Sequence, residues 1–281
     1  MERFGFSTLG CSGASLAEVL ATARRHGCGG VELRAAADEF LHTGIAAADR
    51  ERVRAAFAEA RVVPLAVCSY VRLCAPGFGA GSPEDEQVGD LLAHLDLART
   101  IGARGVRVFM RDDPDAAGDG PTPGERRAVR RVAEVARHTA GTGVRVLVET
   151  HDSHSLGERV ARFMALLDAE LPGHGCGVVW DTAHTWSHGE SPARSLELLR
   201  PWIAHVQVKD LRSVADPVPV PLGAGTYPVA ELAGTLAGAG WDGALCLEWE
   251  RKWHPELPPI DDALAAARTW AAPLLERNAR T

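Results

Sequence analysis

The chain has 281 residues, of which 46% are hydrophobic and 24% are charged, and its formal net charge is −7. These values are typical of globular proteins and exclude the disordered and fibrous classes. The negative charge disfavours nucleic acid as a partner, because nucleic-acid-binding surfaces are basic. The first residues lack the regions of a signal peptide, no apolar run reaches the roughly 18 residues of a membrane span, and the cysteines occur singly. We therefore expect a cytoplasmic protein with reduced thiols and no membrane partner.

Short runs rich in β-branched residues alternate with longer amphipathic stretches along the chain. The short runs predict strands at 3–9, 30–35, 62–70, 105–111, 144–151, 177–184, 203–210 and 244–250. The amphipathic stretches predict helices at 15–27, 49–62, 86–103, 124–143, 156–170, 191–202 and 227–241. Strands separated by helices pair in parallel through right-handed crossovers. The length allows about 35 residues for each of eight units, which favours an α/β fold with a single (β/α)₈ TIM barrel over residues 1–281, ahead of an open doubly wound sheet.

Alternation along the last four strands predicts which side chains point into the barrel, since neighbouring residues of a strand face opposite sides. The inward row contains, near the carboxyl ends of these strands, Glu149 and His151, Asp181, Gln207 and Lys209, and Glu248. Three carboxylates buried together require a compensating cation. Oxygen ligands of this kind suit Mn²⁺, Mg²⁺ or Co²⁺ better than structural zinc. The alternative is that each acid caps a helix or pairs with one of the many arginines.

The first half of the chain offers a second set of polar residues near the predicted strand ends. By the same alternation Glu32, Tyr70 and Arg107 can face the mouth of the barrel. Arg107 lies in an otherwise apolar run, which indicates an interior role in orienting a substrate. Glu32 and Tyr70 fit either substrate binding or a polar lining of the barrel.

The predicted strand ends resemble those of the xylose-isomerase-like barrel superfamily. The matching stretches are GCGGVELR, VLVETH, VVWDTAHTW, HVQVKD and LCLEWERKWHPEL. That superfamily groups sugar and sugar-phosphate isomerases and epimerases, inosose dehydratase, 3-dehydroshikimate dehydratase and endonuclease IV. The resemblance implies one divalent metal ion bound by Glu149, Asp181, Gln207 and Glu248. Many relatives carry His at the position of Gln207, and the amide favours Mn²⁺, with Mg²⁺, Co²⁺ or Zn²⁺ as alternatives.

The resemblance also implies roles for residues around the metal ligands. His184 matches a position that contacts substrate hydroxyls, and Tyr70 and Arg107 resemble substrate-binding positions. His151 and Lys209 match residues of the dehydratase branch that transfer protons and bind substrate. Together with Glu32, these assignments give a predicted site with the catalytic residues Glu149, Glu248, His151 and Lys209 and the substrate-binding residues His184, Arg107, Tyr70 and Glu32.

Two reactions fit this set of residues. In the first, a metal-dependent isomerase or epimerase of a sugar or related polyol removes a proton next to a carbonyl and forms an enediolate. In the second, a metal-dependent dehydratase of a cyclic keto-polyol such as 3-dehydroshikimate or inosose expels a hydroxyl from the same enolate. A barrel that only binds a ligand is a more distant alternative, and an acidic chain argues against the endonuclease branch. The expected partner is a small sugar or cyclic polyol, with a homo-oligomer as an open alternative.

Overall fold

The computed structural model describes residues 3–76, 85–113 and 120–277. Its central feature is a closed barrel of parallel strands. The barrel strands are β1 (Phe4–Ser7), β2 (Gly30–Arg34), β3 (Val63–Arg72), β4 (Gly105–Phe109), β5 (Arg145–Glu149), β6 (Gly177–Asp181), β7 (Ile203–Val208) and β10 (Ala244–Leu247). Their order around the barrel is β1-β10-β7-β6-β5-β4-β3-β2. Between β7 and β10, an antiparallel hairpin is formed by β8 (Asp210–Leu211) and β9 (Pro219–Val220).

Helices connect successive strands of the barrel. They are α1 (Leu16–Arg25), α2 (Ala47–Ala60), α3 (Glu86–Ile101), α4 (Pro123–Thr139), α5 (Gly157–Glu170), α6 (Thr182–Ser187), α7 (Pro192–Leu199), α8 (Val229–Gly238) and α9 (Ile260–Arg277). The prediction of a single (β/α)₈ TIM barrel is confirmed. Among the described helices, none is long and apolar enough to cross a membrane.

The apolar residues form two layers, as alternation along the strands predicts. Val146 and Val148 of β5 belong to the large core between the barrel and the helices. Leu147, between them in sequence, packs inside the barrel with residues of β3 and β6. A second interior cluster joins Leu65, Ala244 and Cys246. These side chains fill the interior of the barrel, and TIM barrels carry their active sites at the carboxyl ends of the strands.

Several strands are shorter than their sequence patterns predict, and two helices of the structure were not predicted. The run at 177–184 is a strand only as far as Asp181, and α6 begins at the next residue. Oδ1 of Asp181 caps this helix by accepting hydrogen bonds from the backbone N–H groups of Ala183 at 2.9 Å and His184 at 3.1 Å. His184 therefore lies in a helix and not in the predicted strand. The second missed helix, α9, contains Pro273 within its span, a residue that disfavours a helical prediction.

Candidate active site

A cavity of about 130 Å³ opens at the carboxyl ends of the barrel strands. Its wall includes predicted site residues from β3, β4, β5, α6 and the segment after β10, namely Tyr70, Arg107, Glu149, His151, His184 and Glu248. Asp181, Gln207 and Lys209 are buried nearby but do not belong to the wall. The structure thus brings the predicted residues of the later strands together, in two layers at different depths.

The ammonium group of Lys209 lies at the centre of the deeper layer. Its Nζ is 2.8 Å from Oδ2 of Asp181 and 2.7 Å from Oε2 of Glu248, and it also contacts Oε1 of Glu250. Burial alone would lower the pKa of Lys209, but the three carboxylates outweigh it and hold the pKa well above its ordinary value. Lys209 is therefore a permanently charged cation within an acidic cluster.

Asp181 is fixed at both of its carboxylate oxygens. Its Oδ1 caps α6, while Oδ2 points toward Lys209 and lies 3.5 Å from Nε2 of His184. Burial would raise the pKa of Asp181, but the electrostatic influence of His184 and of the Lys209 ammonium holds it below the ordinary value. Asp181 is therefore an ionised carboxylate whose second oxygen faces the cluster.

Gln207 lies next to Asp181 in the register of β6 and β7. Its Nε2 donates hydrogen bonds to both carboxylate oxygens of Glu32, at 3.2 and 3.0 Å. The opposite amide orientation would place two acceptors against each other, so Glu32 fixes the orientation of the amide. Oε1 of Gln207 is left buried without a hydrogen-bond partner. A buried oxygen of this kind fits a cation ligand, because burial without a partner is costly.

The position of Glu32 differs from the predicted substrate-binding role. Its side chain is fully buried, does not line the cavity, and bonds to Nε2 of His205 at 2.6 Å in addition to Gln207. Sγ of Cys246 lies 3.1 Å from its other oxygen. Burial would raise the pKa of Glu32, but His205 and the hydrogen bonds keep it below the ordinary value. This position fits the alternative of a polar barrel lining, in which Glu32 orients Gln207.

Glu149 and Arg107 form an ion pair inside the wall of the cavity. Nε of Arg107 lies 3.0 Å from Oε2 of Glu149, and both side chains are buried. Nη1 of Arg107 also donates to the carbonyl oxygen of Ser69 at 2.9 Å, which holds the guanidinium in place. Burial nevertheless raises the pKa of Glu149 above its ordinary value, against the opposing effect of Arg107.

Glu248 is the second acid that lines the cavity. Burial raises its pKa well above the ordinary value, although Lys209 acts in the opposite direction. The neighbouring carboxylates of Asp181 and Glu149 raise it further. Glu149 and Glu248 are thus two acids poised to hold or release a proton beside the same cavity.

The donor atoms of the cluster suit a divalent cation. One ligand atom from each of Glu149, Asp181, His184 and Glu248 can be chosen so that all lie within 4.8 Å of one another. The cluster and its ion-pair partners contain four carboxylates, Glu149, Asp181, Glu248 and Glu250, and two cations, Arg107 and Lys209. When all six are ionised, the carboxylates exceed the cations by two. A divalent ion would balance that excess, and the unpartnered Oε1 of Gln207 adds a further oxygen ligand. The residues present therefore fit a divalent metal.

Two histidines line the cavity beside the acidic cluster. The rings of His151 and His184 meet edge to face with centroids 4.5 Å apart. Burial lowers the pKa of His184 to about 3, so its imidazole is neutral at ordinary pH. Burial would also lower the pKa of His151, but Asp152, with Oδ1 at 3.1 Å from Nδ1, raises it above the ordinary value. The neutral ring of His184 can therefore bond a hydroxyl, while that of His151 can carry a proton.

Seven further wall residues were not among the predicted site residues. They are Ser7, Leu9, Arg34, Cys68, Phe109, Glu250 and Trp253. Alternation along the last strand places Glu250 on the inward face, because it lies two residues after Glu248. Trp253 lies in a turn beyond the strand, and its position just after the last strand indicates either a wall of the pocket or a subunit contact.

Comparisons with known proteins agree with this architecture. A family model described as "Xylose isomerase-like TIM barrel" matches residues 20–272. A structure of L-ribulose 3-epimerase superposes with a TM-score of 0.76 and 18% identity, covering 100% of this chain and 96% of that one. The probable 3-DHS dehydratase AsbF from Bacillus anthracis gives a TM-score of 0.71 and 18% identity over 95% and 97% of the two chains.

A third structure, the IolI protein with a bound zinc atom, gives a TM-score of 0.74 and 15% identity over 98% of each chain. Identities this low establish the shared fold alone. Among curated proteins, no sequence matches this chain. The match to the family model covers most of the sequence. The chain therefore belongs to the xylose isomerase-like TIM barrel family.

Proposed function

We propose that this protein is a divalent-metal-dependent isomerase or epimerase of a sugar or related polyol, acting through an enediolate. The observation that carries the proposal is the placement of two carboxyl groups, those of Glu149 and Glu248, in the wall of one cavity. Moving a proton away from a carbon and back to another face or carbon requires two such groups beside the substrate. Two of the structural relatives are named as an epimerase and a probable dehydratase, and both reactions fit the same enolate chemistry.

The surroundings of Lys209 favour the isomerase over the dehydratase. In a dehydratase, Lys209 would stabilise the enolate or assist the departing hydroxyl. Its ammonium is instead buried beneath the cavity and neutralised by Asp181, Glu248 and Glu250. Such a group has no free charge to offer a leaving oxygen. The two cavity-lining carboxyl groups are better placed for proton transfer.

The residues in and around the cavity wall have different roles in the proposed reaction. One of Glu149 and Glu248 removes the proton next to the substrate carbonyl, and the other supplies a proton to the enediolate. The neutral imidazole of His184 and the guanidinium of Arg107 hold substrate oxygens in place. Asp181, Gln207, Glu149 and Glu248 would hold the metal ion. When bound, that ion supplies Lewis-acid polarisation of the carbonyl and its neighbouring hydroxyl.

Proton exchange with solvent tests this proposal. Protein loaded with Mn²⁺ is incubated in D₂O with a panel of ketoses and, separately, with 3-dehydroshikimate. We expect deuterium to enter a ketose at the carbon next to the carbonyl without loss of water. A new aromatic or enone absorbance with 3-dehydroshikimate, and no exchange in any ketose, would instead establish the dehydratase.

Substitution of Glu149 and of Glu248 tests whether these two acids catalyse the deuterium exchange. Glu149→Gln and Glu248→Gln are each expected to slow deuterium incorporation by at least about 100-fold, the usual contribution of a general acid or base. The control is Glu197→Gln on the exposed surface of α7, where the side chain is 71% exposed; its exchange rate is expected to match the wild type. Wild-type rates in both cavity variants would contradict the assignment.

A further inference from the structure

A continuous row of rings and guanidinium groups runs along one wall of the cavity. Its members, from the outer rim to the acidic cluster, are Trp253, Arg34, Tyr70, Arg107, Phe109, His151 and His184. Successive members are 4.0 to 5.9 Å apart, measured between ring centroids or from a guanidinium carbon to a centroid. The inner end of this row belongs to the site already described. Its outer end, Trp253, Arg34 and Tyr70, has no role in the proposed chemistry, and we call it the rim platform.

The rim platform exposes aromatic surface that a folded protein ordinarily covers. Among the described residues, the large hydrophobic side chains that are exposed are Tyr70 at 39%, Val214 at 51% and Trp253 at 54%. Two of these three line the same small cavity. Aromatic surface concentrated at the mouth of a polar cavity is typical of a site that binds a ring.

The platform is held rigid by Arg34, whose own side chain is buried. Nε of Arg34 donates to the Tyr70 hydroxyl oxygen at 2.8 Å. Nη1 of Arg34 donates to Asp38 at 2.8 Å and to Glu39 at 2.6 Å. The guanidinium thus fixes the position of the Tyr70 ring before any ligand arrives, which reduces the entropy lost on binding.

The charges of the platform are already balanced. Arg34 is paired with Asp38 and Glu39, and Lys252 contacts the other oxygen of Asp38. Two cations therefore face two carboxylates. A phosphate or carboxylate group would find no free positive charge here, whereas a neutral ring could stack on Trp253 and Tyr70.

The cavity is small for a ligand site. At about 130 Å³, it is smaller than the roughly 300–1,000 Å³ of typical small-molecule sites, and its wall already includes Arg34, Tyr70 and Trp253. A single small ring, placed against Glu149 and Glu248, would occupy this space. Because Tyr70 is 39% exposed and Trp253 is 54% exposed, part of the rim platform also faces outward, where a larger ligand can extend.

We propose that the rim platform is a second subsite, which binds a neutral ring, such as a glycosyl group, attached to the sugar whose carbon is deprotonated at the acidic cluster. This inference rests on the proposed function, because it takes the inner cavity as the place of reaction. It identifies the substrate class as a glycosylated keto-sugar and not a free or phosphorylated monosaccharide.

Binding of two related ketoses tests the subsite. The probes are D-fructose and isomaltulose, which is fructose that carries a glucosyl group and retains its carbonyl. Isothermal titration of the Mn²⁺-loaded protein is expected to show about tenfold tighter binding of isomaltulose, from burial of a ring face on the aromatic side chains. Trp253→Ala is expected to remove this preference, because it weakens the binding of isomaltulose more than that of D-fructose.

The control variant is Val214→Ala, which trims another exposed hydrophobic side chain and is expected to keep the tenfold preference. Equal affinities of the wild type for the two sugars would overturn the subsite, as would a Trp253→Ala variant that weakens both equally. Tighter binding of D-fructose 6-phosphate than of isomaltulose would overturn the neutral-ring assignment. Absence of deuterium exchange, with the preference for isomaltulose intact, would refute the proposed function alone.

Discussion

Lys209→Met removes the cation around which the acidic cluster is built. At the observed separations of 2.7 and 2.8 Å from Glu248 and Asp181, each contact contributes roughly 6 kcal/mol of attraction at an effective dielectric constant of about 20. Most of that attraction is offset by the cost of burying the charges. Breaking a buried pair by removal of one partner costs about 3–5 kcal/mol, because the other charges stay behind. We expect a loss of this size in the free energy of unfolding of the metal-free protein.

The assay is urea denaturation at pH 8 after treatment with a chelator. The matched control is Lys252→Met, since Lys252 is the other lysine of the chain and its side chain is 27% exposed beside Asp38. Surface pairs contribute about 0–1 kcal/mol, so the control is expected to unfold nearly as the wild type does. Added Mn²⁺ is expected to restore most of the lost stability of Lys209→Met, because a cation returns to the same carboxylates. A Lys209→Met variant as stable as Lys252→Met without metal would refute the reasoning.

Further substitutions test the supporting structure. Glu125 is buried, and hydrogen bonds from His154 and other groups outweigh burial and lower its pKa to about 2. Its ionised form therefore stabilises the fold above the unfolded pKa of about 4.3. Glu125→Gln should cost about 1–3 kcal/mol at pH 7, and the difference in stability from the wild type in urea melts should shrink as the pH falls from about 5 toward 3. Gly225→Ala would place a Cβ 2.2 Å from the carbonyl oxygen of Leu211 and should lower the stability by about 1–3 kcal/mol in thermal melts. The control is Gly234→Ala on α8, where the new Cβ has open space around it, and its stability should be unchanged or higher. Glu32→Gln should weaken Mn²⁺ binding about 10–100-fold by titration, because Glu32 orients the amide of Gln207.

Strand periodicity predicts the layered interior of this barrel well. The alternation of valine with polar residues on β5 places Leu147 inside and Val146 and Val148 outside, as observed. The prediction succeeds because each strand is packed on both faces. A shift of one residue along a strand would exchange the side chains inside the barrel with those that face the helices. The same rule brings Glu149, Gln207 and Glu248 to one end of the barrel.

Contacts between distant strands cannot be read from periodicity. Glu32 lies on the inward face of β2, yet its carboxylate is covered by His205 and Cys246, which are distant from it in the sequence. Lys209 likewise ends beneath the cavity, because the carboxylates of Asp181 and Glu248 attract its ammonium there. Sequence spacing assigns a residue to a face of a strand, whereas its depth depends on partners that only the closed barrel brings together.

The central claim is that the acidic cluster at the carboxyl ends of β5, β6, β7 and β10 is a single metal site. Metal analysis of protein dialysed against Mn²⁺ measures it most directly. We predict about one ion per chain in the wild type and a sharp reduction in both Glu149→Ala and Asp181→Ala, with the exposed Glu197→Ala variant unchanged. Full occupancy in both cluster variants would contradict the claim.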